Sequence, residues 1–325
     1  MGLRSNRIAI VGFGPRGLGA LESLVRHAGP DGPRLAVDLF DPIDGPAAGP
    51  NFSPDESTVC LLNLPVRSID LPAPPKGAGL GEISGWLGQD AADSEAFVPR
   101  ARLGAYMNAR FRDLMTRLPD GMTVTLHHLR ITGAERAGRQ WRLADGHTRH
   151  GPYDHVLLSL GQPESGDDDQ TARWRTHAKR HGLTFMDAYP ASTLVEAAGS
   201  WAGRTVGIRG LGLSALDVVQ ALTLGLGGRF EAGRYVPSGR EPARIVPFSL
   251  DGHAPAPKPL NETVDARFEP LPEENESLRI ALSTALRGPS DTALKTVCDA
   301  IASRRCASSA KPPERPALAI PAPGR

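Results

Sequence analysis

Apolar positions along this chain follow two different periods, and the changes of period mark its elements. Arg7-Ile8-Ala9-Ile10-Val11 is a short β-branched run that predicts a buried strand. Leu18, Leu21 and Leu24 then recur at helical spacing, with Glu22 and Arg26 on the other side. Leu35 to Phe40 predicts a second strand, ending at Asp41. Arg100 to Leu118 reads as a helix with Leu103, Met107, Phe111, Leu114 and Leu118 on one face and Tyr106 on its flank. From Met122 to Gly161 the period becomes alternating. Thr123 to Leu126, Gln140 to Leu143 and Tyr153 to Leu160 predict successive strands, with a hairpin turn at Asp145-Gly146. Thr205 to Arg209 predicts another strand, Leu216, Val219 and Leu222 a helix behind it, and Arg234 to Val236 a further strand. Asn275 to Arg305 reads as helical pieces broken at Gly288-Pro289. The last residues, 307–325, contain five prolines and no period, which predicts a disordered tail.

Composition narrows the class. The 325 residues carry 37 Lys plus Arg against 36 Asp plus Glu, a formal charge of +1, so there is no long-range pull toward nucleic acid or anionic lipid. Gly (36) and Pro (30) are in excess, which indicates many tight turns in a chain still 40% hydrophobic. No apolar run approaches the ~18 residues of a membrane span. The cysteines Cys60, Cys298 and Cys306 have neither metal nor CxxC spacing, so a cytoplasmic α/β protein is expected.

Two glycine loops carry the candidate chemistry. The first strand runs into Gly12-Phe13-Gly14-Pro15-Arg16-Gly17, a GxGxxG that opens a helix. In a dinucleotide site Gly12 permits the tight turn, Gly14 lets backbone approach a pyrophosphate, and Gly17 lets helix and strand pack closely. Phosphates sit on the unpaired N–H groups of the helix N-terminus. Asp41, 24 positions beyond Gly17, stands near the spacing of a ribose-binding acid. The plainer alternative is that it caps the turn before Pro42. An acid there suits FAD or NAD better than NADP. The second loop, Gly210-Leu211-Gly212-Leu213-Ser214-Ala215, is a GxGxxA variant. After it, Ser238 and Arg240 suit the 2′-phosphate of NADPH, whereas Glu241 suits the bare ribose of NADH; the first reading is favoured and the second stays open.

Other motifs point nowhere in particular. His127 and His128 are strand neighbours facing opposite ways, and His147 and His150 lie in a turn, so surface histidines and no metal site are expected. Asp167-Asp168-Asp169 reads as a solvated linker. Neither a P-loop nor a GxSxG is present. The Gly- and Pro-rich stretch from Gly45 to Asn51 and Leu61-Leu62-Asn63-Leu64-Pro65 is long enough to suggest the cover of a cofactor ring.

The stretches IAIVGFGPRGLGALESL, LLNLP, FVPRARLGAYMNARF, LSLGQP, IRGLGLSALDVVQALT and YVPSGREPARIVPFSLDG, spread over residues 7 to 260, resemble the FAD/NAD(P)-binding protein family related to the N-hydroxylating flavin monooxygenases. The resemblance implies an α/β fold of two Rossmann-like domains, with a small β-meander inserted in the first. It implies an FAD-binding domain over 1–165, an NAD(P)H-binding domain over 166–260 and a helical segment over 261–306. Gly12, Gly14, Pro15, Arg16, Gly17 and Asp41 become FAD contacts, Asn63 and Arg100 candidates near the flavin, and Gly161 the glycine closing the last strand. Gly210, Gly212, Ser214, Ser238 and Arg240 become the nicotinamide-nucleotide site. Leu226 stands where the resemblance leads one to expect Arg. The implied activity is NAD(P)H-dependent oxygenation of a small amine or amino acid by molecular oxygen, with no catalytic side chain identified. A non-oxygenating flavin reductase and a non-catalytic nucleotide-binding subunit are the alternatives. The resemblance also implies a segment closing the FAD domain after the second domain, so either a C-terminally truncated chain with an incomplete FAD site, or completion by a partner chain or a second copy, is expected.

Overall fold

A computed structural model describes residues 6–28, 32–69, 71–75, 79–162, 166–256, 258 and 261–307. In chain order the elements are β1 (Asn6–Val11), α1 (Pro15–His27), β2 (Leu35–Phe40), α2 (Ile83–Leu87), α3 (Arg100–Met115), β3 (Met122–His127), β4 (Gly133–Ala137), β5 (Gln140–Ala144), β6 (Arg149–Tyr153) and β7 (His155–Leu158). They continue with α4 (Asp169–Arg180), α5 (Ala191–Ala198), β8 (Thr205–Arg209), α6 (Leu213–Leu222), β9 (Arg229–Glu231), β10 (Arg234–Val236), β11 (Arg244–Phe248), α7 (Glu262–Asp265), α8 (Pro272–Arg287) and α9 (Ser290–Ala307). Internal packing divides the chain into two units, Met1–Pro255 and Ala256–Arg325.

The first unit begins with a parallel sheet of order β3-β2-β1-β7. Alternation decides its two faces. Ile10, Val37 and Leu39 face a core shared with Phe13, Leu21, Tyr106 and Phe111 from the α1 and α3 side. Ala9, Val11 and Phe40 face the other way, against Leu143 and Tyr153 of the antiparallel meander β4-β5-β6. The alternating run from Met122 onward is therefore shared between two sheets. Met122–His127 joins the parallel sheet beside β2, and β4 to β6 form the inserted meander. Asp145 makes the β5–β6 turn by accepting the His147 and Thr148 N–H groups at 2.8 and 2.7 Å.

Two charged residues sit where an apolar reading would not put them. Glu22, on the helix side expected to be polar, is only 4% exposed. Arg110 of α3 reaches it with two bonds, Nε–Oε1 at 2.8 Å and Nη2–Oε2 at 2.5 Å, so the pair is buried as a paired, bidentate unit. Asp38, in the middle of β2, accepts the Tyr153 hydroxyl at 2.8 Å and ties the meander to the sheet.

Further along the unit, β8 pairs in parallel with β11 and packs with α5 and α6 around Leu194, Ile208, Val218, Leu222 and Leu226. Leu226 is fully buried there, a position that suits Leu and not Arg. The expected strand at Arg234–Val236 does not pair with β8; it forms an antiparallel hairpin with β9. The three aspartates at 167–169 start α4: Asp168 caps it by accepting the Thr171 N–H at 2.6 Å, and Asp167 pairs with Arg175.

The second unit consists of α7 and the packed helices α8 and α9. α8 ends at Arg287 and α9 begins at Ser290, the break expected at Gly288-Pro289. The tail from 308 onward lies outside the described residues. Among the described residues no helix is long and apolar enough to cross a membrane.

Candidate nucleotide sites

The first glycine loop joins β1 to α1 at the carboxyl end of the parallel sheet. Gly12 has φ +86°, and a Cβ there would lie 2.3 Å from the Ser159 carbonyl oxygen at the end of β7. Only glycine fits. Ser159 strengthens the same junction, its hydroxyl donating to the Gly12 carbonyl at 2.6 Å. Gly17 allows the close helix–strand packing expected of it, since a Cβ would lie 2.7 Å from the Gly12 carbonyl oxygen. Gly14 faces Gly49 of the long coil, its added Cβ 3.7 Å from the Gly49 Cα. Pro15 occupies the first turn of α1, where its missing N–H removes a donor that would have no intrahelical partner.

Arg16 follows and lines an open cleft of about 440 Å³ together with Leu157 to Gly161. The cleft lies at the carboxyl ends of β1 and β7, where the order of the sheet reverses. Open α/β sheets bind their ligands at that topological switch point. Among the described residues Arg16 has no ion pair, so its guanidinium is available to an anion in the cleft. Gly161 has φ +70°, with nothing within 4 Å of an added Cβ.

Asp41 faces inward. It is 7% exposed, and its carboxylate accepts the Phe13 N–H at 2.6 Å and the Ile43 N–H at 2.9 Å. It thus holds the glycine loop against the end of β2. The long coil covers that loop: the Ala47 N–H donates to the Phe13 carbonyl at 2.7 Å. Gly104 of α3 lets the coil pass, because a Cβ there would stand 1.6 Å from the Phe52 carbonyl oxygen. Asn63 is exposed, next to Leu62, whose N–H donates to the Val98 carbonyl at 2.8 Å.

The second loop joins β8 to α6. Gly210 has φ +108°, and neither Gly210 nor Gly212 would bring a Cβ within 4 Å of any atom, so the backbone before α6 is open to a ligand. Ser214 is exposed in the first turn of α6. Ser238 and Arg240 lie elsewhere, in the turn after β10. The Ser238 hydroxyl donates to the Leu226 carbonyl at 2.8 Å, beyond the far end of α6, and Arg240 is exposed. Glu241 accepts the Ser238 and Gly239 N–H groups at 2.7 and 2.8 Å and the Tyr235 hydroxyl at 2.7 Å. Its pKa is held down to about 2; burial opposes this, and the Ser238 N–H and Tyr235 hydroxyl bonds outweigh it.

Arg100 sits between the two halves. Its Nε donates to the Leu61 carbonyl at 3.0 Å, and its other nitrogens meet Tyr189 and Asp217 of α6. Tyr189 also donates to Asp217. Beside this cluster, Glu56 of the first half accepts the Ala191 and Ser192 N–H groups at the start of α5, at 3.2 and 3.3 Å. Asp217, Tyr189, Glu56 and Ser159 escape a sequence reading. Asp217 alone gave a signal, as a carboxylate inside the apolar run Leu213 to Leu222.

A family described as FAD-NAD(P)-binding matches residues 9–163, from β1 to the end of the first half. Three curated relatives align over more of the chain. One is a nitrosuccinic acid synthase of Aspergillus oryzae, 32% identical over 75% of this chain and 41% of its own length. Another is an L-aspartate N-monooxygenase (nitrosuccinate-forming) of Streptomyces davaonensis, 30% identical over 78% of this chain and 45% of its own length. A third, of the same description, is from Streptomyces cremeus, 29% identical over 93% of this chain and 50% of its own length. The chain spans about half the length of these relatives or less.

Proposed function

We propose that the chain, whose residues 9–163 match the FAD-NAD(P)-binding family, forms the nucleotide-binding part of an FAD- and NAD(P)H-dependent N-monooxygenase acting on an amino acid. The carrying observation is the pair of strand–glycine loop–helix junctions, at Gly12–Gly17 and Gly210–Ala215, each opening a helix at the carboxyl end of a parallel strand pair. The relatives' substrate makes L-aspartate the first candidate.

In this reading FAD lies along the cleft between β1 and β7. The first-turn N–H groups of α1 and the Arg16 guanidinium meet its pyrophosphate, because both present uncompensated positive charge there. Asp41 acts at one remove, keeping the Phe13 N–H turned inward so that Gly14 stays at the surface of the loop. Bound flavin would take up hydride from the nicotinamide and activate oxygen for transfer to the amine, while the protein orients it and excludes water. The coil packed through Ala47 and Gly49 shields the loop on the side of α3. Gly210, Gly212 and Ser214 meet the phosphates of the nicotinamide nucleotide in the same way that α1 meets FAD.

The test is a visible spectrum of the full chain after FAD is added, followed by NADH or NADPH without air, and then L-aspartate with ¹⁸O₂. A flavin band that bleaches and a product carrying ¹⁸O on nitrogen support the reading. Bleaching with no oxygen incorporated leaves a flavin reductase. Failure to retain FAD at all overturns the proposal for this chain.

A further inference from the structure

The strand beside the second glycine loop is not the one that spacing in the sequence suggests. β11 runs parallel to β8 in continuous register, from Arg244 opposite Thr205 to Phe248 opposite Arg209. The Gly210 N–H donates to the Phe248 carbonyl at 2.7 Å, so the chain leaves β11 beside the second glycine loop. The strand next to the glycine-loop strand, at its carboxyl end, is where a dinucleotide fold reads the adenosine ribose. That strand is β11, and the residues leaving it are Ser249 to His253.

The hairpin β9–β10 and its turn are inserted between α6 and β11 and carry Ser238 and Arg240 away. Ser238 is bonded to Leu226, past the far end of α6. The ten residues of α6 separate that point from the glycine loop by about 15 Å. Glu241 is fully engaged in holding the same turn.

At the end of β11, Asp251 Oδ1 accepts the Ser249 hydroxyl at 2.7 Å and the His253 N–H at 3.3 Å. Its second oxygen, Oδ2, lies 3.8 Å from the exposed His253 ring nitrogen Nδ1, and with the side chain 70% exposed that oxygen has room for a further donor. Arg209, the cation closing β8, is turned away: it pairs with Asp168 at 3.1 Å, donates to the Thr171 hydroxyl at 2.6 Å and stacks over Trp174.

We propose, on the reading that the second glycine loop binds a nicotinamide nucleotide, that Asp251 oriented by Ser249 accepts the adenosine ribose hydroxyls and makes this site select NADH over NADPH. An ionised carboxylate only accepts hydrogen bonds, so it matches a diol and repels a 2′-phosphate.

Titration of the full chain with NADH and with NADPH, followed by nucleotide fluorescence, tests this without turnover. Binding of NADH is expected to be about tenfold tighter. Asp251→Ser, an exposed change, removes most of that ratio, and Arg240→Ala leaves it as it was. Tighter binding of NADPH by the unaltered chain, or a ratio unmoved by Asp251→Ser, overturns the inference and leaves the nucleotide reading standing. Loss of NADPH binding in Arg240→Ala returns the selection to the turn after β10. If neither coenzyme binds, the assignment of the second loop falls as well.

Discussion

Arg100 and Asp217 form an ion pair across the first unit, with only 17% and 8% of their side chains exposed. One residue opens α3, which packs under the first glycine loop; the other lies three positions after Ser214 in the helix of the second. Tyr189 and the Leu61 carbonyl complete the cluster, so each polar group has a partner. The pair therefore fixes the helix of one loop against the coil that covers the other.

Removing one member leaves the other charge buried. Asp217→Ala or Arg100→Ala is expected to cost about 3 kcal/mol in urea unfolding. Replacing both by Leu should recover most of that loss, because no charge is then stranded. A double variant as unstable as the single ones would show that the polar cluster, and not only its charge balance, holds the helices.

Two glycines should respond to alanine in opposite directions. At Gly104 the methyl would stand 1.6 Å from the Phe52 carbonyl oxygen, a backbone atom that cannot step aside. Gly104→Ala is expected to lose about 2 kcal/mol or more. Gly19, inside α1, has nothing within 4 Å of an added Cβ. Gly19→Ala should gain about 0.5–1 kcal/mol from helix propensity. Thermal melts of the two variants check both signs.

Asp41 distinguishes bracing from ribose contact. Asp41→Ala strands the buried Phe13 N–H and releases that of Ile43. It should lower stability without any ligand by about 1–3 kcal/mol and weaken FAD retention as well. A melting temperature equal to that of the unaltered chain, with FAD lost, would identify Asp41 as a ligand contact alone.

Cys60 is fully buried beside the Arg100 cluster. Burial, then the charges of Asp217 and Glu56, push its thiol up from 9.0 to about 11. The folded chain therefore keeps this proton longer than the unfolded chain does. The associated stability is whole below pH 9.0 and disappears as pH rises through about 11. At pH 8 a thiol reagent, mapped by peptide mass, should label exposed Cys298 well before Cys60. Equal rates at the two cysteines would contradict the buried, protonated thiol.

Local features are legible in the order of the residues. β2 spans Leu35–Phe40 as its pattern predicts, and both glycine loops open helices where strand, glycines and helical period coincide. The break between α8 and α9 follows from Gly288-Pro289. These depend on backbone torsion and nearest neighbours, which a sequence carries directly.

What the sequence by itself determined is therefore where strands, turns and helices begin, and which residues line each face. The tertiary structure alone decided which strands are neighbours. Alternation predicts a strand at Thr123–Leu126, which the fold extends to Met122–His127, but does not say that β2 is its partner. Spacing along the chain suggests Arg240 for the second loop, whereas the fold makes β11 the neighbour of β8 and leaves Arg240 in the turn after the β9–β10 hairpin. The same holds for Asp41 turned toward Phe13, Glu22 buried by Arg110, and Asp217 reached by Arg100 from 117 positions away. A carboxylate's role depends on which donors the fold brings to it, and those donors come from distant parts of the chain.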